Sequence, residues 1–153
     1  KNLEELNCIH NNLKTLPPEM RRLQNLQYLF LGRNFLENLP DTGGEESALI
    51  KLDLSSNCLK ELPDSMENLC QLKEISLTNN PWLRLPEVIW KLKKLKLLRI
   101  SLTQLQDILE NEEKIKDLKH LKTLAVYGDE NYPKPKIFEK FGYLTVNFYP
   151  DIE

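Results

Sequence analysis

Leucine recurs along this chain at intervals of 23 residues, at Leu3, Leu26, Leu49, Leu72 and Leu95. Each of the first four copies reads L-x-x-[L/I]-x-[L/C]-x-x-N-x-[L/W]-x-x-L-P, with apolar and polar positions alternating at its start. The alternation predicts a short strand that is buried on one side. The fixed period predicts copies that stack and bury one another's leucines.

These copies resemble the leucine-rich-repeat family over nearly the whole chain. Their length and the Leu-Pro pair that closes them are similar to the intracellular class of that family, which includes Ras-group scaffolds and bacterial effectors. The resemblance implies an α/β fold, namely a right-handed solenoid with a curved parallel β-sheet on its concave face. Short helices and 3-10 turns are expected on its convex face.

The pattern predicts one domain over residues 1–153, with about six repeats in 1–132 and a C-terminal cap in 133–153. The chain starts inside the running pattern, so we expect a piece of a longer protein. The fifth copy is longer than the others, and its extra residues predict a convex helix over 107–118, with Ile108, Ile115 and Leu118 buried. The cap is expected to form a short helix over 135–142 and a strand over 143–148.

One asparagine returns in each of the first four copies, where the chain must turn after its strand. A carboxamide both donates and accepts, so it can satisfy backbone groups of its own turn and of the neighbouring coil. We therefore predict a buried ladder formed by Asn11, Asn34, Asn57 and Asn80. Thr103 and Asp129 stand at this position in the fifth and sixth copies.

The second copy loses its apolar anchor on the convex side. Gly43 and Glu46 stand where the first copy has Met20 and Leu23. Two interpretations remain open for residues 41–48: a loose loop without a role, or a mobile site for docking or modification.

Composition narrows the classes of partner. The formal net charge is −2, which argues against a general surface for nucleic acid or membranes. No apolar run is long enough to insert into a membrane. None of the three cysteines stands in a C-x-x-C pair, so reduced thiols in the cytoplasm are expected.

Candidate catalytic chemistry is sparse. His10 and His120 are the only histidines, and neither has a partner at metal-ligand spacing. Cys8 lies near His10 but occupies an inward strand position, which favours a core thiol over a nucleophile. We expect no enzymatic activity, no cofactor, no metal and no small-molecule substrate.

The outward strand positions of the concave face carry unusual side chains for a solvated surface. Large apolar or cationic groups at such positions are typical interface anchors. The predicted partner-binding residues are Ile9, Tyr28, Phe30, Arg33, Lys51, Asp53 and Arg99. Alternatively, the apolar members are ordinary exposed residues or are covered by a flanking domain.

A second candidate surface is a row of lysines at the start of the strands in the C-terminal half. Its members, which we call the basic ridge, are Lys73, Lys94, Lys96 and Lys122. The ridge is either a solvated lysine face or a surface that attracts an acidic protein partner.

The sequence thus predicts a non-catalytic protein–protein recognition module of an intracellular signalling or scaffold protein. An alternative is the substrate-recognition arm of a ubiquitin ligase or bacterial effector whose catalytic domain lies outside this chain. A third possibility is a purely architectural spacer between two other domains.

Overall fold

The computed structural model describes residues 2–82 and 84–151, so the outermost ends of the predicted domain lie outside the described residues. Seven parallel strands form one sheet, in which each strand pairs with its neighbours in sequence. The strands are β1 (Glu5–Asn7), β2 (Tyr28–Phe30), β3 (Lys51–Asp53), β4 (Glu74–Ser76), β5 (Leu97–Ser101), β6 (Thr123–Gly128) and β7 (Thr145–Pro150).

The sheet register follows directly from the repeat period. Leu29 pairs with Leu52, and Leu52 pairs with Ile75, because equal positions in successive copies lie side by side. These inward side chains are buried in one continuous core that extends from the second coil to the last. The core leucines of the first coil, such as Leu6 and Leu13, are only half-buried because the structure describes no coil on their other side.

The convex side carries short 3-10 helices over Pro18–Arg22, Asp64–Asn68, Glu87–Lys91 and Lys136–Lys140. Each follows directly after a proline whose extended backbone presets the start of the helix. Met66 and Ile89 of two such helices are fully buried under them. These helices therefore close the core from the side opposite the sheet.

The second coil has no convex helix, and residues 41–48 form a loop instead. A cavity of about 30 Å³ remains under this loop, bounded among others by Met20, Leu39 and Thr42. The hydroxyl of Thr42 is buried there without a hydrogen-bond partner. The loop therefore leaves unfilled the space that an apolar anchor occupies in the neighbouring coils.

The long fifth copy forms α1 (Leu102–Glu110) and α2 (Glu112–Ile115). The predicted start of this helix at residue 107 is wrong, because the helix already begins directly after β5. The side chain of Gln104 accepts a hydrogen bond from the backbone N–H of Ser101 at 2.8 Å, which caps the helix at this earlier position. The predicted burial of Ile108, Ile115 and Leu118 is confirmed.

The C-terminal segment continues the same architecture. Phe138 and Phe141 are buried by its 3-10 helix. The last strand, β7, lies two residues further along than the predicted range 143–148, and it pairs with β6 over six residues. In the part of the chain that the structure describes, no helix has the length and hydropathy to cross a membrane.

Candidate protein-binding face

The outward side of the sheet, which the sequence predicts to be concave, is called the open face below. The register lines up its side chains in columns across the strands. Tyr28 stands between Glu5 and Lys51, and Phe30 stands between Asn7 and Asp53. Ile9 and Tyr28 are 39% and 36% exposed, although both are large and apolar.

Five of the seven predicted partner-binding residues line one hollow of about 330 Å³ in the open face. These five are Ile9, Phe30, Lys51, Asp53 and Arg99. Tyr127, Ser76 and Thr78 complete much of its remaining wall. We call this space the central hollow.

Some charged groups of the central hollow have ion-pair or hydrogen-bond partners, and one has none. The ammonium of Lys51 lies 3.3 Å from the carboxylate of Glu74 and 5.6 Å from the ring centroid of Phe30. Asp53 accepts hydrogen bonds from the backbone N–H of Ser55 at 2.9 Å and from its hydroxyl at 2.6 Å. The guanidinium of Arg99, in contrast, forms no hydrogen bond or ion pair with any residue in the described ranges.

The other two predicted residues do not line the central hollow. Tyr28 lies at the start of β2, whereas Arg33 lies beyond its end, about 15 Å away at the usual rise of a strand. Arg33 lines a separate hollow of about 380 Å³, together with His10, Phe35 and Ser56 among others. Arg33 follows Gly32, whose carbonyl oxygen accepts the N–H of His10, and therefore lies on the edge where the strands end, in the coil next to His10.

That edge has a backbone conformation that the sequence did not reveal. His10, Arg33, Ser56 and Asn79 occupy the same position in successive copies, and all have a positive φ between 52° and 57°. Residues with a Cβ rarely adopt this left-handed conformation. In the sixth copy this position is occupied by Gly128, whose φ is 147°. This glycine is the one feature of the sequence that indicated a positive φ here.

The asparagine ladder occupies the interior beside this edge. The amide of Asn57 donates to the carbonyl oxygen of Leu31 in the preceding coil at 3.0 Å, and its oxygen accepts from the N–H of Leu36 at 3.0 Å. Asn34 and Asn80 are buried and make equivalent bonds.

One predicted member of the ladder, Asn11, does not take part in it, and neither does Asp129 at the same position of the sixth copy. Asn11 is exposed, and its amide reaches only carbonyl oxygens of its own coil, because no described coil precedes it. Asp129 is also exposed and accepts a hydrogen bond from the N–H of Asn131, two residues later. The placement of Asn11 in a buried ladder is therefore wrong.

The lysines of the basic ridge lie on adjacent coils. The N–H of Lys96 donates to the carbonyl oxygen of Lys73 at 2.7 Å, and the N–H of Lys122 donates to that of Lys96 at 2.9 Å. Lys94, Lys96 and Lys122 are exposed, and Lys73 is half-buried. Within residues 2–82 and 84–151, none of the four forms an ion pair.

Aromatic groups at the C-terminal end of the open face were missed as site residues. Tyr127 and Tyr149 stack with ring centroids 4.9 Å apart. Tyr143 is 54% exposed and lines a hollow of about 440 Å³ with Lys119, His120 and Lys122 among others. Extending the final strand by two residues would have placed Tyr149 beside Tyr127 in the same column.

Shifted pKa values occur away from the central hollow. A hydrogen bond from Lys60 lowers the pKa of Glu37, and the same contact raises the pKa of Lys60. In the loop of the second coil, the backbone N–H of Gly43 lowers the pKa of Asp41. No three His, Cys, Asp or Glu side chains among the described residues are placed to hold a metal ion.

Stacked coils with one parallel strand and one asparagine-bonded turn per period define a solenoid repeat protein. A family model described as "Leucine rich repeat" matches residues 24–81, and one described as "Leucine Rich repeats (2 copies)" matches residues 1–41. Together they cover residues 1–81, and the chain belongs to the leucine-rich repeat family. The comparison with curated proteins gave no match.

Solved structures support the same fold over nearly the whole chain. A leucine-rich repeat protein of Leptospira interrogans is 27% identical with a TM-score of 0.57, and the match covers 94% of this chain and 42% of that one. Human trophoblast glycoprotein, also called Wnt-activated inhibitory factor 1, is 19% identical with a TM-score of 0.65, over 97% of this chain and 59% of that one. The chain therefore spans less than two thirds of either protein.

Proposed function

We propose that this domain is a non-catalytic recognition module that binds another protein through the open face. Leucine-rich repeats typically act as protein-binding modules, and the solenoid supplies an extended surface for this purpose. The observation that carries the proposal is the central hollow, in which apolar and charged side chains from six successive coils converge.

The apolar members of the open face favour binding over simple solvation. Ile9 and Tyr28 expose more than a third of their surface, and the ring of Phe30 is only half-buried. Aromatic side chains and arginines beside such groups are the residues that most often dominate the energy of an interface. Covering these side chains with a partner would remove apolar surface from water.

The backing of the open face makes it a preformed surface. Directly behind the central hollow, Leu52 and Ile75 are each about 1% exposed, and they belong to the continuous core. Close packing of this kind fixes the strands that carry the outward side chains. A partner would therefore meet an ordered surface and lose little free energy to ordering it.

We also propose that the domain serves a signalling or scaffold protein in the cytoplasm. All three cysteines are free, and Cys58 and Cys70 are exposed on the surface. Exposed unpaired thiols suit a reducing compartment, where they stay reduced. Detection of a disulfide-linked form in protein isolated with thiols blocked would contradict this placement.

The test uses a display library of natural protein fragments selected against the domain. A selected binder is then titrated against the wild type and against the double variant Tyr28→Ala/Phe30→Ala. We expect the double variant to lose at least tenfold in affinity, since truncating central aromatic residues commonly costs 2 kcal/mol or more, about thirtyfold. Its melting temperature should fall by only a few degrees, because neither ring belongs to the fully buried core.

Phe35→Ala is the matched control. Phe35 is an exposed aromatic residue that lies outside the central hollow. Its truncation should leave the affinity within about twofold of the wild type, which is the behaviour of a surface residue away from an interface. Equal losses in the control and in the double variant would show that binding does not use the central hollow.

A further inference from the structure

Arg99 is a half-buried cation whose hydrogen-bonding capacity is unused within the described chain. Its neighbours on the adjacent strands are Ser76 and Ala125, whose small side chains leave its guanidinium accessible from the central hollow. A guanidinium offers five N–H donors in a fixed fork that matches a carboxylate. Such a group, partly removed from water, gains most from an anionic partner.

The other charges of the central hollow do not compete for Arg99. Glu74 is engaged by Lys51, and Asp53 is engaged by both donors of Ser55. Asp53 keeps its negative charge but lies two strands away from Arg99, which leaves the guanidinium as a cation without a direct partner in the hollow that Ile9 and Phe30 also line. This combination suits a protein segment that presents a carboxylate next to an apolar side chain.

The basic ridge offers further positive charge for a partner with carboxylates, outside the central hollow. Lys96 precedes Arg99 by three residues, about 10 Å at the rise of a strand, and Lys73 and Lys122 lie on either side of Lys96. These lysines have no carboxylate partners among the described residues. The ridge and Arg99 thus place unpaired cations about 10 Å apart in the C-terminal half of the sheet.

We propose that the partner binds with an acidic segment, one carboxylate of which pairs with Arg99 while others lie along the basic ridge. This inference rests on the proposed function. The overall charge of −2 favours an acidic protein segment over nucleic acid, because the unpaired positive charge is local to Arg99 and the basic ridge and does not extend over the molecule. The apolar groups beside Arg99 favour the same partner.

The experiment uses peptides selected from a random display library against the wild-type domain. Acidic residues should be enriched among the binders, next to at least one apolar residue. For one such peptide, fluorescence anisotropy should show a loss of roughly 30-fold or more in affinity for Arg99→Gln, as expected when one partner of a desolvated charge pair is removed. Arg99→Lys should fall between the wild type and Arg99→Gln, because it keeps the charge but not the fork.

The ridge is tested by Lys96→Gln/Lys122→Gln, which should bind about fivefold more weakly and with less dependence on salt. The matched control is Lys91→Gln/Lys116→Gln, which removes the same charge from lysines that pair with Glu67 and Glu113 away from the open face. It should bind as the wild type does. Because all four of these lysines are exposed, both double variants should keep their melting temperatures to within a few degrees.

Several outcomes would overturn the inference. One is peptide binding that depends on Phe30 but is unchanged in the Arg99 and ridge variants, which would leave the proposed function intact. Another is tighter, ridge-dependent binding of a single-stranded RNA oligonucleotide or of phosphatidylserine vesicles. Affinity that is unchanged by substitution of either Phe30 or Arg99 would instead contradict the proposed function itself.

Discussion

The side-chain amide of Gln104 donates to the backbone carbonyl oxygen of Leu77 in the preceding coil at 3.3 Å. It thereby takes over the bond to the preceding coil that the ladder asparagines make in earlier coils. Three residues later, the carboxylate of Asp107 accepts the N–H of Leu85 at 2.9 Å. Helix α1 thus continues the internal polar ladder after Thr103 has replaced the asparagine.

Replacing Gln104 by Ala should therefore destabilise the domain. The fully buried side chain accepts from the N–H of Ser101 and is one of two donors to the carbonyl oxygen of Leu77, beside Asn80. Its loss leaves the N–H of Ser101 without this partner, at a cost of ~1–3 kcal/mol. Gln106→Ala on the exposed side of the same helix should change the free energy of unfolding by less than about 0.5 kcal/mol. Urea denaturation of the two variants measures the difference, and equal values would show that Gln104 has no such role.

The loss of stability on replacing a turn asparagine by Ala should depend on how deeply that asparagine is buried. Asn57→Ala is expected to lower the free energy of unfolding by ~1–3 kcal/mol, because it strands backbone groups away from water. Asn11→Ala should cost less than about 1 kcal/mol, since the groups it bonds are exposed and water replaces its amide. Thermal and urea unfolding would check this order, and a larger effect at Asn11 would contradict it.

Ser56 tests the left-handed backbone along the edge where the strands end. At its φ of 52°, a β-branched side chain is strained, while glycine is not. We expect Ser56→Val to be less stable than Ser56→Gly by ~1–2 kcal/mol, the usual cost of this conformation for a residue with a Cβ. Ser55 has no positive φ, so the same two substitutions there should reverse the order.

Thr42 offers a stabilising change under the loop of the second coil. Its buried hydroxyl has no partner, so Thr42→Val replaces an unsatisfied polar group by a methyl group of similar size. The free energy of unfolding should rise by about 1 kcal/mol. Thr15→Val at an exposed site serves as the control and should remain within about 0.5 kcal/mol of the wild type. An equal rise in the free energy of unfolding for both variants would show that the gain does not come from removing the unsatisfied hydroxyl of Thr42.

Gly128 should not tolerate a side chain. Its φ of 147° disfavours any Cβ, and an added Cβ would lie 2.8 Å from the Cβ of Leu102. Gly128→Ala is expected to cost about 2 kcal/mol or more, from backbone strain together with overpacking. Gly142→Ala, where nothing lies within 4 Å of the new Cβ, should be neutral or slightly stabilising. Differential scanning calorimetry of the pair checks the contrast.

The repeat pattern predicted the strands well for a physical reason. A side chain that must be buried between two coils has to recur at the same place in every coil, so the period itself encodes the register that pairs Leu29, Leu52 and Ile75. The start of α1 escaped this reasoning because it depends on a local cap between Ser101 and Gln104. The period carries no information about such a cap.

The binding surface was predicted less completely than the fold. Ile9, Phe30 and Arg99 were identified because outward columns follow from the alternation, and the structure brings them together in the central hollow. Arg33 lines a neighbouring hollow, because it lies in the left-handed turn beyond the end of β2. Tyr149 was missed because the end of the final strand is set by its pairing with β6.

The sequence alone determined the stacking of coils, the inward leucines and the positions of the turn asparagines, because these depend on contacts repeated at every period. The tertiary structure decided which outward charges are satisfied and which remain unpaired. Lys51 pairs with Glu74, and Asp53 accepts from Ser55, while the guanidinium of Arg99 has no partner in the described chain. Such pairing depends on distances between side chains of different coils, which a repeat spacing does not specify.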